Sequence, residues 1–286
     1  MRVDVRKTHK LYIGGAFPRS ESGRTFEALD AKGRFLANMA QASRKDARDA
    51  VRAARSAQSG WAGRTPYNRG QVIYRIAEVM EDRRDQLIEQ VRAVGSTPKQ
   101  AAATVDQTVD RIVWYSGWAD KYVQVLGNAN PVSSPYFNLS TPEPTGVVAV
   151  LAPSSLNMAD PLLGLVSTVL PAMVTGNTVV AVTGTAAPIP AVTLAEIMAT
   201  SDVPGGVVNL LTGDAAELGP WLASHLDVNG IDLAGAGDAA TDLEIASAEN
   251  LKRVRRPADE DWTTEPDLSR LAQWTETKTV WHPIGV

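Results

Sequence analysis

The chemistry open to this chain is limited by what it lacks. It contains no cysteine, which removes disulfides, cysteine-ligated zinc, iron–sulfur clusters and any thiol nucleophile. Its three histidines, His9, His225 and His282, are far apart in sequence, and His225 lies in a helix-like stretch, WLASHLDV. They present no metal-ligand spacing, so no metal site is expected. Gly213-Asp214 and Gly235-x-Gly237 are glycine-loop signals, but turn geometry explains them without a bound phosphate. With 28 basic against 32 acidic residues and a net charge of -4, the chain offers no basic field for nucleic acid or an anionic membrane. The charged start, MRVDVRKTHK, is followed by no apolar core, and no apolar run approaches a membrane span, so a cytoplasmic protein is expected.

The elements that would position a site are legible. The chain is long enough, at 286 residues and 44% apolar, for one large or two modest packed domains. Its centre is Glu143 to Val182. A buried strand (Gly146 to Leu151), a long apolar segment (Leu162 to Val174), a Gly176-Asn177 turn and a second buried strand (Thr178 to Val182) make a βαβ unit. The fold class is therefore α/β, with a Rossmann-like doubly wound parallel sheet. Upstream, Leu11 to Phe17, the SESG turn at Ser20 to Gly23 and Thr25 to Leu29 read as a hairpin. Ser43 with Asp46 reads as the capping box of a helix ending near Gly60, and Thr65-Pro66 starts a second that runs through Val91. A third is expected from about Pro98 to Val125.

The segments LYIGGAF, SESGRTFEALD, Gly60-Trp61-Ala62 and WYSGWADKY (Trp114 to Tyr122) resemble the N-terminal half of the aldehyde dehydrogenase superfamily. EPTGVVAVLAP, LPAMVTGNTVV and VPGGVVNLLTG (Val203 to Gly213) resemble successive segments of its cofactor-binding domain, and together these cover roughly residues 10 to 254. The resemblance implies a discontinuous NAD(P)-binding-fold domain at 1–126 and 147–254, an oligomerisation β-arm at 127–146 and 273–286, and a linker at 255–272.

In that family a thiolate attacks the aldehyde, an Asn and a backbone amide hold the oxyanion, a Glu activates water, and hydride passes to NAD(P). Carried over position by position, the resemblance finds these groups replaced. The Pro-Trp-Asn segment is Pro153, Ser154, Ser155, so Ser155 stands for the oxyanion Asn. The Lys and Glu that bind the adenosine ribose are Val182 and Thr185. The Phe-Thr-Gly-Ser loop is Leu233, Ala234, Gly235, Ala236, which keeps the glycine and leaves backbone donors only. RRPADEDWTTEP stands where the water-activating Glu segment should follow Val254. No catalytic residue and no cofactor are expected, with NAD or NADP binding through the degenerate positions Ser154, Ser155, Val182, Thr185 and Gly235 as the alternative.

The segment from Leu251 to Leu271 has the composition of an exposed connector. QWTETKTVWHPIGV (Gln273 to Val286) alternates as a strand and resembles the last strand of the family's arm, while YFNLSTPEP (Tyr136 to Pro144) sits where the earlier hairpin belongs. The expected interface residues are Tyr136, Phe137, Leu139, Trp274, Thr279, Val280 and Trp281. Three readings follow: an inactive structural or regulatory subunit that assembles through its arm with a full-length aldehyde dehydrogenase paralogue, an NAD(P)-sensing binding protein, or a residual oxidoreductase.

Overall fold

A computed structural model describes residue 3 and residues 5–154 and 159–285. The expected N-terminal hairpin pairs differently. Thr25–Leu29 (β2) pairs antiparallel with Phe35–Ala40 (β3), and Thr8–His9 (β1) adds in parallel on the other side of β3. The Asp30 carboxylate makes this turn by accepting the amides of Lys32 and Arg34, with Gly33 at φ 75°. Leu11 to Phe17 instead folds back on itself between Ile13 and Ala16, and Tyr12 bridges to Leu210. Its Gly14-Gly15 turn is wedged against the body of the protein: a Cβ on Gly15 would lie 2.9 Å from the Gly205 Cα.

The first helix, Arg44–Ala62 (α1), has the expected capping box between Ser43 and Asp46. The second is broken in two, Pro66–Asp82 (α2) and Arg84–Ala93 (α3), at Arg83, which leaves helical geometry as its guanidinium reaches Glu196 at 2.6 Å. The third, Pro98–Trp118 (α4), stops earlier than expected, and a short helix, Tyr122–Leu126 (α5), follows. Asn128–Asn130 (β4) and Tyr136–Pro144 (β5) then leave the body as a hairpin.

The doubly wound sheet is present. Its strands are Val147–Leu151 (β6), Thr178–Val182 (β7), Val208–Leu211 (β8), Gly230–Asp232 (β9) and Arg253–Arg255 (β10), all parallel, in the order β10-β9-β6-β7-β8. Period-two alternation sends Val148 and Val150 to one core and Val147, Ala149 and Leu151 to the other. Leu165–Val174 (α6) and Ile189–Ala199 (α7) cover the first face with α2 and α4. Ala215–Ser224 (α8) and Ala240–Ala248 (α9) cover the second with α1. At the amino ends of the strands, two buried asparagines and the half-buried Asn229 satisfy backbone groups that the sheet leaves open. Asn177 accepts the Gly146 amide and donates to the Trp274 carbonyl, Asn229 accepts the Val147 amide, and Asn209 accepts the Gly14 amide.

The stretch expected as an exposed connector is partly core. Arg253–Arg255 is the edge strand of the sheet, Trp262 and Leu271 are buried, and Ser269–Gln273 (α10) packs on α6. Its composition misleads because the charged residues are used internally. Arg270 is 6% exposed and donates to Asp232 at 2.5 Å and Glu260 at 2.6 Å, while Arg255 reaches Glu260 at 3.0 Å. Thr275–Pro283 (β11) then pairs antiparallel with the whole of β5, giving a second three-stranded sheet in the order β11-β5-β4.

Two outcomes are expected. Leu251 ends α9 in the left-handed region at φ 56° with its side chain 92% exposed. Leu251→Gly should therefore raise stability by about 1 kcal/mol, read as an upward shift in Tm, because glycine holds that geometry without a Cβ penalty. Burial alone would push the Glu260 carboxyl up, but Arg270 and Arg255 hold it below its ordinary value of 4.5. Its contribution is thus complete above pH 4.5 and is lost as pH falls through the lower folded value. Glu260→Gln should lower stability at neutral pH and flatten the acid limb of a denaturant-midpoint-versus-pH curve.

Candidate functional site

In a doubly wound sheet the ligand crevice lies beyond the carboxyl ends of the strands, where the winding reverses. Here the reversal falls between β6 and β9. The loops after β6, β7 and β9 bring Ser154, Val182, Thr185 and Gly235 to this end of the sheet. Ser155 lies outside the described residues.

The loops at this end are occupied by one another. Ser154 packs against Gly184, which has φ 65°; a Cβ there would lie 2.0 Å from the Ser154 Oγ. Val182 is buried in the core beneath α1 and α8, and its carbonyl accepts the Ala152 amide at 3.0 Å. Thr185 is exposed. Gly235 approaches the backbone of β6 so closely that a Cβ would lie 2.1 Å from the Ala152 oxygen.

The backbone donors that remain in this loop are used within the chain. The Ala234 amide donates to Asp232 Oδ1 at 3.0 Å, Gly235 to the Leu151 carbonyl at 2.7 Å, and Ala236 to the Leu233 carbonyl at 2.9 Å. Beyond them, Asp238 in the Gly237–Ala239 turn and Asp242 in the first turn of α9 place negative charge at the start of the helix. Two carboxylates there already complement the helix dipole and oppose a second anion.

Sequence reasoning missed Asp232. It is fully buried at the carboxyl end of β9, and burial pushes its carboxyl up against the opposing pull of Arg270 and the Ala234 amide. The signal was available: an acid at the end of the apolar strand Gly-Ile-Asp must be neutralised or bonded inside the fold.

The histidines do not converge. His9 is buried in β1, where burial first and Lys7 second push its pKa down. His225 follows α8, its Nδ1 accepting the Asp227 amide, and His282 is exposed on β11. Among the described residues no group of three or more His, Asp or Glu is placed to hold a metal ion. No helix among them is long and apolar enough to cross a membrane.

The arm carries six of the seven expected interface residues on exposed surface, and its register sorts them onto two faces. Trp274 is the departure. It is fully buried, with its ring 2.8 Å from where a Cβ on Gly230 would stand, because it precedes β11 and plugs the core at the arm's root. One face of the arm is polar along its middle. Asn130 donates to Asn138 at 2.7 Å and to Ser140 at 2.8 Å, and Ser140 meets Thr279 at 3.2 Å. Tyr136 and Trp281 stack edge to face at its tip, 5.8 Å apart. The other face carries an apolar patch: Leu139 lies opposite Val280 and Ala129, and Phe137, opposite His282, is next along β5 on that face. Phe137 is 56% exposed, Leu139 48% and Val280 41%. Closer to the body, the Lys278–Glu143 and Arg253–Glu276 ion pairs flank this face.

Comparison with known proteins accords with this architecture. The family model described as the aldehyde dehydrogenase family matches residues 17–256. Bacillus subtilis (strain 168) DhaS is 31% identical over 87% of this chain and 50% of its own length, and Arabidopsis thaliana aldehyde dehydrogenase family 2 member B4, mitochondrial, is 32% identical over 88% and 46%. The NAD+ complex structure of aldehyde dehydrogenase from Bacillus cereus superposes with a TM-score of 0.81 at 29% identity, covering 87% of this chain and 50% of that one. PnpE from Pseudomonas sp. WBC-3 does so at 28% identity with the same TM-score and coverage. The chain spans about half the length of the curated relatives it matches. The family match over residues 17–256 and the parallel sheet within it agree, and the chain belongs to the aldehyde dehydrogenase family.

Proposed function

We propose that this chain is a catalytically inactive, structural or regulatory member of its family that assembles through its β-arm with a full-length aldehyde dehydrogenase subunit. The observation that carries the reading is the arm itself, a three-stranded sheet with an exposed apolar face of Phe137, Leu139 and Val280. Such a face, with a long edge strand beside it, favours association over solvation. The thiol on which the family's chemistry turns is absent from the whole chain. Residues 255–272 stand where the family resemblance puts the catalytic domain, which makes a full-length relative the fitting partner.

The donor set beyond the strands does not fit a dinucleotide. Val182 and Thr185 replace the ribose-binding pair, the amides of Ala234, Gly235 and Ala236 are bonded within the chain, and Asp238 and Asp242 oppose pyrophosphate. Titration calorimetry of the isolated chain with NAD+ or NADP+ up to about 1 mM should give no binding heat, a concentration at which even a weak site of about 4 kcal/mol would respond. Saturable heat would move the reading toward a dinucleotide-sensing protein.

Assembly is tested by co-expressing the tagged chain with a full-length paralogue from the same genome. The two should elute together from size exclusion in a fixed ratio. The Phe137→Asp and Val280→Lys variants should lose co-elution while their Tm stays within about 0.5 kcal/mol equivalent of the parent, since both sites are surface positions. A stable homomer that ignores the paralogue would overturn the proposal.

A further inference from the structure

The C-terminal segment builds a cleft of about 520 Å³ between itself, α4 and α6, within the size range of small-molecule sites. Its charges are sorted by depth. At the floor are the guanidinium groups of Arg111, Arg255 and Arg270. Two buried or half-buried carboxylates, Asp232 and Glu260, answer Arg270 and Arg255 and leave one positive charge over.

The surplus charge is Arg111. It is 8% exposed and, among the described residues, has no carboxylate partner. Its Nη1 donates to Ser167 Oγ at 2.6 Å, and its Nη2 donates to the carbonyls of Trp262 at 2.8 Å and Thr264 at 2.7 Å. A guanidinium has five N–H groups, so donors remain. Among the described residues the Nε of Arg255 is buried without a partner. Tyr115 lines the same floor, and burial pushes its phenol up to about 12, so it stays protonated as a donor at neutral pH.

The walls toward solvent have the opposite sign. Asp259, Asp261, Glu265 and Asp267 are exposed around the opening, and among the described residues none of them forms an ion pair. A simple anion would be drawn to Arg111 but repelled at the mouth, while a simple cation would stop at the rim. A molecule with an inner carboxylate and an outer ammonium matches both layers.

We infer that this cleft binds a small zwitterion of the amino-carboxylate class, its carboxylate on Arg111 and Arg255 and its ammonium among Asp259, Asp261, Glu265 and Asp267. The site is independent of the arm and of the assembly proposed above.

The test is titration calorimetry of the intact chain at low ionic strength with glycine, 4-aminobutyrate and 6-aminohexanoate, which step the charge separation. Butyrate and butylammonium serve as single-charge controls. At least one amino-carboxylate should bind with one-to-one stoichiometry, more than about tenfold tighter than either control, because a charged hydrogen bond is lost in each. The exposed double variant Glu265→Gln, Asp267→Asn should weaken the zwitterion by about fivefold and, by relieving the repulsion at the mouth, tighten butyrate. Ser167→Ala, which frees Arg111 without removing its charge, should keep binding, whereas Arg111→Gln should abolish it with the double variant as the folded control. No heat from any amino-carboxylate, equal binding of butyrate, or indifference to the rim variant would each overturn the assignment.

Discussion

A carboxylate without access to water must be neutralised where it stands, and Asp232 imposes that requirement at the carboxyl end of the central sheet. Arg270 answers it from 38 residues downstream. To place that guanidinium, the chain after β9 must return through the edge strand β10, pass Glu260 and Trp262, and settle as α10 against α6. Arg111 fixes the same path from the other side by holding the carbonyls of Trp262 and Thr264. A segment rich in charge and proline is thereby tied into the fold and delivers Trp274 to the core and β11 to the arm.

The two ends of the parallel sheet are consequently built for different purposes. At the amino ends, Asn177, Asn209 and Asn229 close the backbone in a way that serves packing alone. At the carboxyl ends, where sheets of this type carry ligands, small residues have let the loops collapse together, as Gly184 does on Ser154 and Gly235 on Ala152. Filling this end with the chain's own contacts suits the structural role proposed above, in which recognition would fall to the arm.

Much of this was legible in the sequence where a local rule decides the outcome. The βαβ unit, the capping box at Ser43 and the strand following Trp274 all rest on periodicity or on one residue's hydrogen bond. Legibility failed where competing local turns or a distant partner decide. Thr25–Leu29 pairs with Phe35–Ala40 across the Asp30 turn rather than across the Ser-Gly turn, and the break at Arg83 falls where its guanidinium meets Glu196 of another helix. Trp274 read as an arm residue by alternation, but its position one residue before β11 turns it inward onto Gly230. The connector's composition hid its ion pairs, since pairing cannot be seen in a list of charges.

The arm's geometry also bears on the cost of assembly. Nine successive residues of β11 pair with β5, and the Lys278–Glu143 and Arg253–Glu276 ion pairs fix the register near its root. A one-residue slip of β11 against β5 would carry Val280 onto the polar face of Asn138 and Ser140 and set Thr279 or Trp281 beside Leu139. Register is therefore what gathers Phe137, Leu139 and Val280 on one face of the arm, and Trp274, buried at its base, ties the arm to the core. An arm fixed in this way is ordered in advance, so the assembly proposed above would lose little conformational entropy on docking and would keep its apolar contact for affinity.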